Sequence, residues 1–162
     1  MEIKIALITI SDKGYAGTRE DKSGPMMENS LNGKAQIVYK TIVPDEQNII
    51  SKELSDIADN GLADVILTSG GTGFAPRDVT PEATMDIIER NVPGISEALR
   101  AYSMKITNRA ILSRGVAGIR KQTLIINMPG SPKAVSECLE VIIPILEHAV
   151  KTLRGKSYEC AR

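Results

Sequence analysis

Two aspartates stand beside segments whose residue types suit a phosphate. Asp78 follows the glycine-rich segment SGGTG, residues 69–73, and Asp45 stands within VPDEQ, residues 43–47. Glycine lets a phosphate or a ring come close to the backbone, where N–H groups bind anions. Two carboxylates facing a phosphate indicate Mg²⁺ and phosphoryl chemistry, because the metal offsets the repulsion between acids and polyphosphate.

Each of these features also has a purely structural interpretation. The glycines suit a sterically tight surface turn, and their spacing is neither that of a P-loop nor that of a dinucleotide fingerprint. Asp45 is in place to cap a helix, and Asp78 to accept hydrogen bonds from loop N–H groups. On these segments alone, the ligand and the structural interpretations stay open.

Histidine-dependent catalysis is disfavoured, since the chain contains one histidine, His148, within a predicted helix. Ser-His-Asp, Cys-His and histidine-ligated metal sites therefore lack their parts. The remaining chemistry relies on positioning, carboxylates, a hard cation and backbone donors, as nucleotidyl transfer does.

Strand and helix patterns alternate along the chain and predict an α/β domain. The apolar runs 3–10, 64–69 and 123–128 are typical of buried parallel strands, and the run 35–43 indicates a strand nearer an edge. Helical periodicity predicts helices over 46–60 and 133–153, the second kinked at Pro144. Residues 109–122 favour a hairpin or a loop excursion. Parallel strands would bring both aspartates to one edge of the sheet.

Two helix starts are expected beside this edge. Thr80-Pro81-Glu82 and Ser131-Pro132 each place a capping residue before a proline at the first helical position. The second follows a strand and a glycine turn, so its N-terminus would favour an anion.

Composition limits the partners and the location. The 162 residues include 20 basic and 20 acidic side chains, which gives no general attraction for nucleic acid or membrane lipid. We expect one domain over residues 1–155 and a short polar tail over 156–162. The N-terminal run is neither a signal peptide nor a membrane span, which predicts a cytoplasmic protein. Cys138 and Cys160 indicate no disulfide framework.

Several segments, taken in order, resemble the molybdopterin adenylyltransferases of molybdenum cofactor biosynthesis, the MogA type, also seen in the G domain of gephyrin. The segments are ITISDKGYAGTREDKSGP (8–25), VPDEQ (43–47), TSGGTGFAPRDVTPEAT (68–84) and AILSRGVAGIRKQTLIINMPGSPKAVSECLE (110–140). The resemblance implies a three-layer α/β/α fold with a mostly parallel central sheet, the molybdopterin-binding fold, usually as a homotrimer. It implies Mg²⁺-ATP-dependent transfer of AMP to the terminal phosphate of molybdopterin, with release of pyrophosphate. A molybdenum insertase is an implied protein partner.

The resemblance also carries residues over by position. Asp45 and Asp78 fall on the two aspartates that the family uses in catalysis, and both are candidate Mg²⁺ ligands. Ser113, Arg114 and Arg120 are candidates for the pterin and its phosphate, because arginine grips phosphate bidentately. The nucleotide and pterin candidates are Thr9, Ser11, Asp12, Ser69, Gly70, Gly71, Thr72, Gly73, Met128, Pro129, Gly130 and Ser131.

Two other functions remain open. The MoaB type shares the fold, and some of its members lack residues needed for adenylylation, so a non-catalytic pterin-binding or scaffolding protein is the main alternative. Retention of PDEQ and RDVTPEA favours the enzyme. A CinA-like domain acting on pyridine nucleotides is a weaker alternative, since the chain lacks the extra domain usual there.

Overall fold

The computed structural model describes residues 2–155 as a mixed α/β structure. The predicted polar tail, 156–162, and its Cys160 lie outside the described residues. The strands are β1 (Lys4–Ile10), β2 (Gln36–Val43), β3 (Val65–Ser69), β4 (Arg90–Asn91), β5 (Ala117–Arg120) and β6 (Thr123–Met128). The helices are α1 (Asp12–Tyr15), α2 (Ser23–Leu31), α3 (Gln47–Asp59), α4 (Thr80–Met85), α5 (Pro93–Met104) and α6 (Pro132–Leu153).

The six strands form one sheet in the order β2-β1-β3-β6-β5-β4. The four predicted strands, now β1, β2, β3 and β6, are all present and run parallel to one another, with β2 at the edge as expected. Their carboxyl ends therefore lie along the same side of the sheet, where open α/β sheets bind ligands. The antiparallel strands β5 and β4 extend the other edge.

Helices cover both faces of this sheet, which gives the three layers that the resemblance implies. Successive side chains of β1 alternate between the faces. Ile5 and Leu7 pack in a cluster with residues of α2 and α6, whereas Ala6 and Ile8 pack in a second cluster with residues of α3. Burial on both faces explains why the central strands are apolar throughout.

Segment 109–122 is a short 3₁₀ turn, Asn108–Leu112, followed by β5. Strand β5 pairs antiparallel with β6, so the segment supplies one strand of a hairpin whose second strand, β6, lies outside it. Lys121 takes a positive φ of 53° at its turn. Pro144 lies inside α6, which spans 22 residues. No helix within residues 2–155 is both long and apolar enough to cross a bilayer.

Two of the three candidate caps are wrong. Helix α4 is preceded by Val79 and begins at Thr80, whose hydroxyl donates instead to the Gly70 carbonyl. Helix α3 is preceded by Glu46, so Asp45 is not its cap. The third is confirmed, since the Ser131 hydroxyl accepts a hydrogen bond from Ala134 N at the start of α6.

Candidate active site

The site is built where β1, β3 and β6 end side by side. Thr9 pairs with Ser69, and Ser69 pairs with Met128 on its other side. At the edge, Ile10 pairs with Val43 of β2. The four loops that follow these strands consequently start from neighbouring positions, although they are distant in sequence.

The glycines after β3 are required by close packing of the loop itself. A Cβ on Gly70 would lie 2.2 Å from the Ile10 carbonyl oxygen, and one on Gly71 would lie 2.3 Å from Thr80 Oγ1. Both residues have positive φ, 109° and 67°, where other L-residues are strained. Two bonds tie this loop to α4, from Thr80 Oγ1 to Gly70 O and from Thr80 N to Gly71 O. The tight-turn interpretation therefore holds at Gly70 and Gly71 whatever binds beside them.

Asp78 closes a small turn beside Gly73. Its Oδ2 accepts a hydrogen bond from Ala75 N at 3.0 Å, and its own N–H donates to the Ala75 carbonyl at 2.9 Å. A Cβ on Gly73 would lie 2.8 Å from Asp78 Oδ2, so the glycine makes room for the carboxylate. This turn fixes the carboxylate at the rim of the strand-end loops.

Asp45 is held by a reciprocal contact with Asp12. Asp12 N donates to Asp45 Oδ2 at 2.8 Å, and Asp45 N donates to Asp12 Oδ1 at 3.0 Å. Burial raises the pKa of Asp45, and the charges of Asp12 and Asp78 raise it further, against the opposing effect of the backbone bond. Asp45 is thus partly desolvated and faces other carboxylates, which is an environment that a cation would relieve.

Arg77 neutralises part of this acidic cluster. Its Nε donates to Asp12 Oδ2 at 2.6 Å and its Nη2 to Asp12 Oδ1 at 3.0 Å, while Nη2 also reaches Glu46 Oε1 at 2.8 Å. The hydrogen bond from Arg77 is the main cause that lowers the pKa of Asp12. Arg77 therefore joins the loops that follow β1, β2 and β3.

Two cavities flank the glycine loop. The first, here the strand-end cavity, has a volume of about 700 Å³ and is lined by residues that follow β1 and β3 and by the start of α6. The second, here the α5 cavity, has a volume of about 470 Å³ and lies between the glycine loop, α5 and α6. Gly71, Asp78 and Gly130 line both cavities and so form the wall between them.

Most of the residues predicted from sequence line one of these cavities. The strand-end cavity is lined by Thr9, Ser11, Asp45, Ser69, Gly70 and Ser131 in addition to the shared wall. The α5 cavity is lined by Thr72, Gly73, Ser113 and Pro129. Asp12, Arg114, Arg120 and Met128 line neither.

Arg114 and Met128 have internal contacts. Arg114 Nε donates to the Gly73 carbonyl at 2.8 Å, its Nη2 donates to the Asp78 carbonyl at 2.6 Å, and its Nη1 pairs with Glu82. Arg114 thus braces the loop that carries Asp78. Met128 is fully buried in the core cluster that includes α6.

Arg120 lies at the far end of β5 from the strand-end loops. Its Nε and Nη2 pair with the two carboxylate oxygens of Asp59 at 2.9 and 2.8 Å, and its Nη1 donates to the Ile87 carbonyl at 2.8 Å. The structure therefore does not bring Arg120 to either cavity, because its guanidinium joins β5 to the end of α3.

Several lining residues were not singled out from the sequence. Asp21 lines the strand-end cavity and binds the start of α2, since its Oδ1 accepts from Ser23 N and Gly24 N, both at 3.0 Å. Ser96 and Arg100 of α5 line the α5 cavity, as does Glu137 of α6. Asp21 and Glu137 lie within segments that carry the resemblance, whereas no sequence signal marks Ser96 and Arg100, whose placement depends on how α5 packs.

The candidate Mg²⁺ ligands, Asp45 and Asp78, both line the strand-end cavity. In residues 2–155, no group of three or more His, Cys, Asp or Glu side chains is arranged to hold a metal ion. Mg²⁺ uses one or two carboxylates, with substrate phosphates and water completing its octahedron. The pair Asp45 and Asp78 therefore fits a Mg²⁺ ion that arrives with a polyphosphate.

Comparison with known proteins gives consistent matches over most of the chain. A family model described as a probable molybdopterin binding domain matches residues 6–148. The molybdopterin adenylyltransferase of Helicobacter pylori strain 26695 is 40% identical over 156 residues, which cover 94% of this chain and 89% of that protein. The Drosophila melanogaster molybdenum cofactor synthesis protein cinnamon is 46% identical over 151 residues, which cover 91% of this chain and 25% of that protein. The chain thus spans about a quarter of the fly protein's length.

A solved structure supports the same relationship. The crystal structure of the molybdopterin biosynthesis enzyme MoaB from Thermus thermophilus superposes with a TM-score of 0.89 at 44% identity. The match covers 97% of this chain and 99% of the Thermus chain. Fold and sequence therefore agree over nearly the full length of both chains.

Proposed function

Because the chain belongs to the family of probable molybdopterin-binding domains, we propose that it is a molybdopterin adenylyltransferase that acts in molybdenum cofactor biosynthesis. Curated relatives of this name, about as long as this chain, support the activity. In this reaction, a terminal phosphate oxygen of molybdopterin attacks the α-phosphorus of ATP. The bond from that phosphorus to the bridging oxygen breaks, pyrophosphate leaves, and a phosphoanhydride joins AMP to the pterin.

The observation that carries this proposal is the wall shared by the two cavities. A transferase must bring an acceptor phosphate and a nucleotide α-phosphate together in line. Gly71, Asp78 and Gly130 line both cavities, so ligands held on either side meet at these residues. A single binding module would need one cavity only.

We assign ATP to the strand-end cavity. Ser131 and Pro132 at the start of α6 line this cavity, and the helix dipole favours phosphate there. Arg19 and Lys22 add positive charge to the same lining. The helix dipole and these cations together suit a triphosphate.

We assign the pterin to the α5 cavity. Leu99, Leu112 and the Cys138 thiol provide apolar wall for the faces of a ring. Burial raises the pKa of Cys138 to about 12, so this wall is uncharged at neutral pH. Arg100 and Arg109 line the same cavity and offer positive charge to a phosphate on the pterin side chain.

Asp45 and Asp78 are proposed to position the nucleotide and its Mg²⁺. When bound, Mg²⁺ would offset the charge on the phosphates. Asp45 stands in the strand-end cavity, and Asp78 in the shared wall. The phosphate of molybdopterin already carries a nucleophilic oxygen at neutral pH, so positioning and charge stabilisation supply the catalysis.

The experiment is direct. Purified protein is incubated with molybdopterin, ATP and Mg²⁺, and adenylylated molybdopterin and pyrophosphate are quantified by mass spectrometry. We expect both products in equal amount and only when the metal is present. Pterin binding without transfer would replace the proposal with a non-catalytic MoaB-type function, and absence of pterin binding would remove the substrate class.

We further propose that the protein is a cytoplasmic homotrimer that passes its product to a molybdenum insertase. The support is the family relationship, together with large exposed apolar side chains beside the α5 cavity. Co-purification of the adenylylated product with a candidate insertase, and its consumption on adding molybdate, would test the hand-over.

A further inference from the structure

We propose that Glu137 and Ser96 recognise the hydrogen-bonding edge of the pterin ring, so that this pair makes the α5 cavity selective for a pterin. The inference rests on the proposed function, because it deepens the assignment of that cavity. It concerns which ring the cavity accepts and is separate from the transfer of AMP.

Ser96 is a buried polar group without a partner. Its side chain lies in α5 and is 5% exposed, and Ser96 lines the cavity. Within residues 2–155, its hydroxyl is the buried side-chain group that makes no hydrogen bond. Buried hydroxyls are normally bonded, because an unmade bond costs free energy. A ligand atom in the cavity would satisfy it.

Glu137 contributes a carboxylate from α6 to the lining of the same cavity. It lies near the start of α6, is partly buried, and lines the same cavity. Among the described hydrogen bonds and ion pairs, none uses its oxygens, whereas Arg100 already donates to the carbonyls of Ser113 and Gly115. Glu137 thus lines the cavity with two acceptor oxygens that no described bond uses.

The donors and acceptors on the edge of a ring determine whether that ring binds the Glu137 carboxylate. The pyrimidinone edge of a pterin presents N3–H and a 2-amino group, which are two parallel donors. A carboxylate offers two acceptors at the matching spacing, as it does towards arginine. Adenine presents a donor beside an acceptor, so one carboxylate oxygen would face a ring nitrogen that donates nothing. Glu137 therefore favours a pterin and disfavours adenine in this cavity.

The test uses two ring compounds that differ at one position. Pterin carries a 2-amino group, whereas lumazine carries a 2-oxo group in its place. We expect the protein to bind pterin at least about tenfold more tightly than lumazine, because the oxo group repels the carboxylate. Ring fluorescence reports binding cleanly, since the chain contains no tryptophan.

Glu137→Gln should reverse this preference. An amide offers one acceptor and one donor, which complement N3–H and the 2-oxo group of lumazine. We expect weaker pterin binding and tighter lumazine binding in this variant. The matched control is Glu147→Gln, an exposed carboxylate on the same helix that lines neither cavity, and its preference should equal that of the unmodified protein.

Ser96→Ala separates recognition from folding. Removing an unsatisfied buried hydroxyl should leave the Tm of the ligand-free protein unchanged or raise it, whereas a purely structural role would lower it. Pterin affinity should fall in the same variant. Unchanged pterin affinity would remove Ser96 from the proposal.

The outcomes also separate this inference from the proposed function. If the unmodified protein binds both rings equally, or if Glu137→Gln keeps the preference for pterin, the edge recognition is overturned even when AMP transfer is observed. If the reversal is seen and no AMP transfer occurs, the cavity remains a pterin site and the transferase is rejected. The transfer assay and the ring titration are run on the same preparations.

Discussion

Arg77 holds the acidic side of the candidate site together. It contacts Asp12 and Glu46, and Asp12 in turn exchanges two hydrogen bonds with Asp45. Asp12, which sequence reasoning placed against the ligand, acts in this structure on Asp45. Charge-assisted bonds of this kind fix a carboxylate more firmly than contact with water does.

We expect Arg77→Met to lower kcat for AMP transfer by about tenfold or more, because Asp12 would lose its counter-charge and cease to hold Asp45 in place. Steady-state kinetics with ATP varied would show the loss in kcat and a smaller change in KM. Arg77→Lys should recover part of the rate of AMP transfer, since an ammonium restores the positive charge but cannot bind Asp12 bidentately as the guanidinium does. Lys52→Met, which removes an exposed pair within α3, is the control, and equal rates in Arg77→Met and this control would contradict the role.

Asp78 combines a structural bond with a charge, and its amide variant separates the two. Asn retains an oxygen that accepts from Ala75 N, so we expect Asp78→Asn to fold with an unchanged Tm. Loss of the charge at the shared wall should lower AMP transfer by about 100-fold or more. Circular dichroism and the mass-spectrometric assay measure both outcomes. Asp86→Asn, whose carboxylate accepts from Gln47 outside the cavities, is the matched control, and full turnover in a well-folded Asp78→Asn protein would overturn the assignment.

The parallel strands and their shared edge could be predicted because each central strand is a short, unbroken apolar run. Asp45 follows the edge strand β2 and Asp78 lies in the loop after the central strand β3, so their convergence followed from the parallel topology. Helices α2 and α5 were not predicted, and β4 has two exposed residues. Their positions are set by packing on the sheet. The site positions of Ser96 and Glu137 could not be predicted for the same reason. Both residues line the α5 cavity because α5 and α6 pack side by side.

Arg120 shows how far a sequence motif can mislead about position. It stands six residues after Arg114 in the segment that carries the resemblance, yet β5 runs away from the strand-end loops. Its partner Asp59 is 61 residues distant in sequence, and no local sequence pattern predicts such a pair. The motif identified the family correctly and gave no information on which way this guanidinium points.

We expect Arg120→Met to lower the Tm at neutral pH and to leave AMP transfer within about twofold, because the side chain braces β5 against α3. The hydrogen bond from Arg120 lowers the pKa of Asp59 in the folded protein. The stabilisation is therefore complete above the pKa of aspartate in the unfolded chain, about 3.9, and is lost as the pH falls through the lower pKa of Asp59 in the folded protein. The difference in Tm between Arg120→Met and the unmodified protein should therefore become smaller at acidic pH. Thermal unfolding at several pH values measures it, and a sharp fall in kcat/KM would restore Arg120 to the site.

Apolar surface around the α5 cavity bears on the whole assembly. Phe74 is 69% exposed and Ile111 is 66% exposed, and Met104, Ile106 and Leu112 are exposed nearby in the chain. Large apolar side chains grouped in this way mark interaction surfaces. The formal net charge of zero adds no general repulsion between copies.

We expect light scattering to give three times the chain mass, with another copy covering the segment around Ile111. Ile111→Glu should then shift the protein to monomer, because an unpaired carboxylate would be buried at the interface. Leu62→Glu places the same charge on an exposed apolar position between α3 and β3. This position lies at the amino end of β3, away from the site, so the measured mass should stay unchanged. If Ile111→Glu remains a trimer, the copies meet elsewhere. If the unmodified protein is a monomer at micromolar concentration, each active site is complete within one chain, and the exposed side chains around the α5 cavity are left to bind the protein that supplies or receives the pterin.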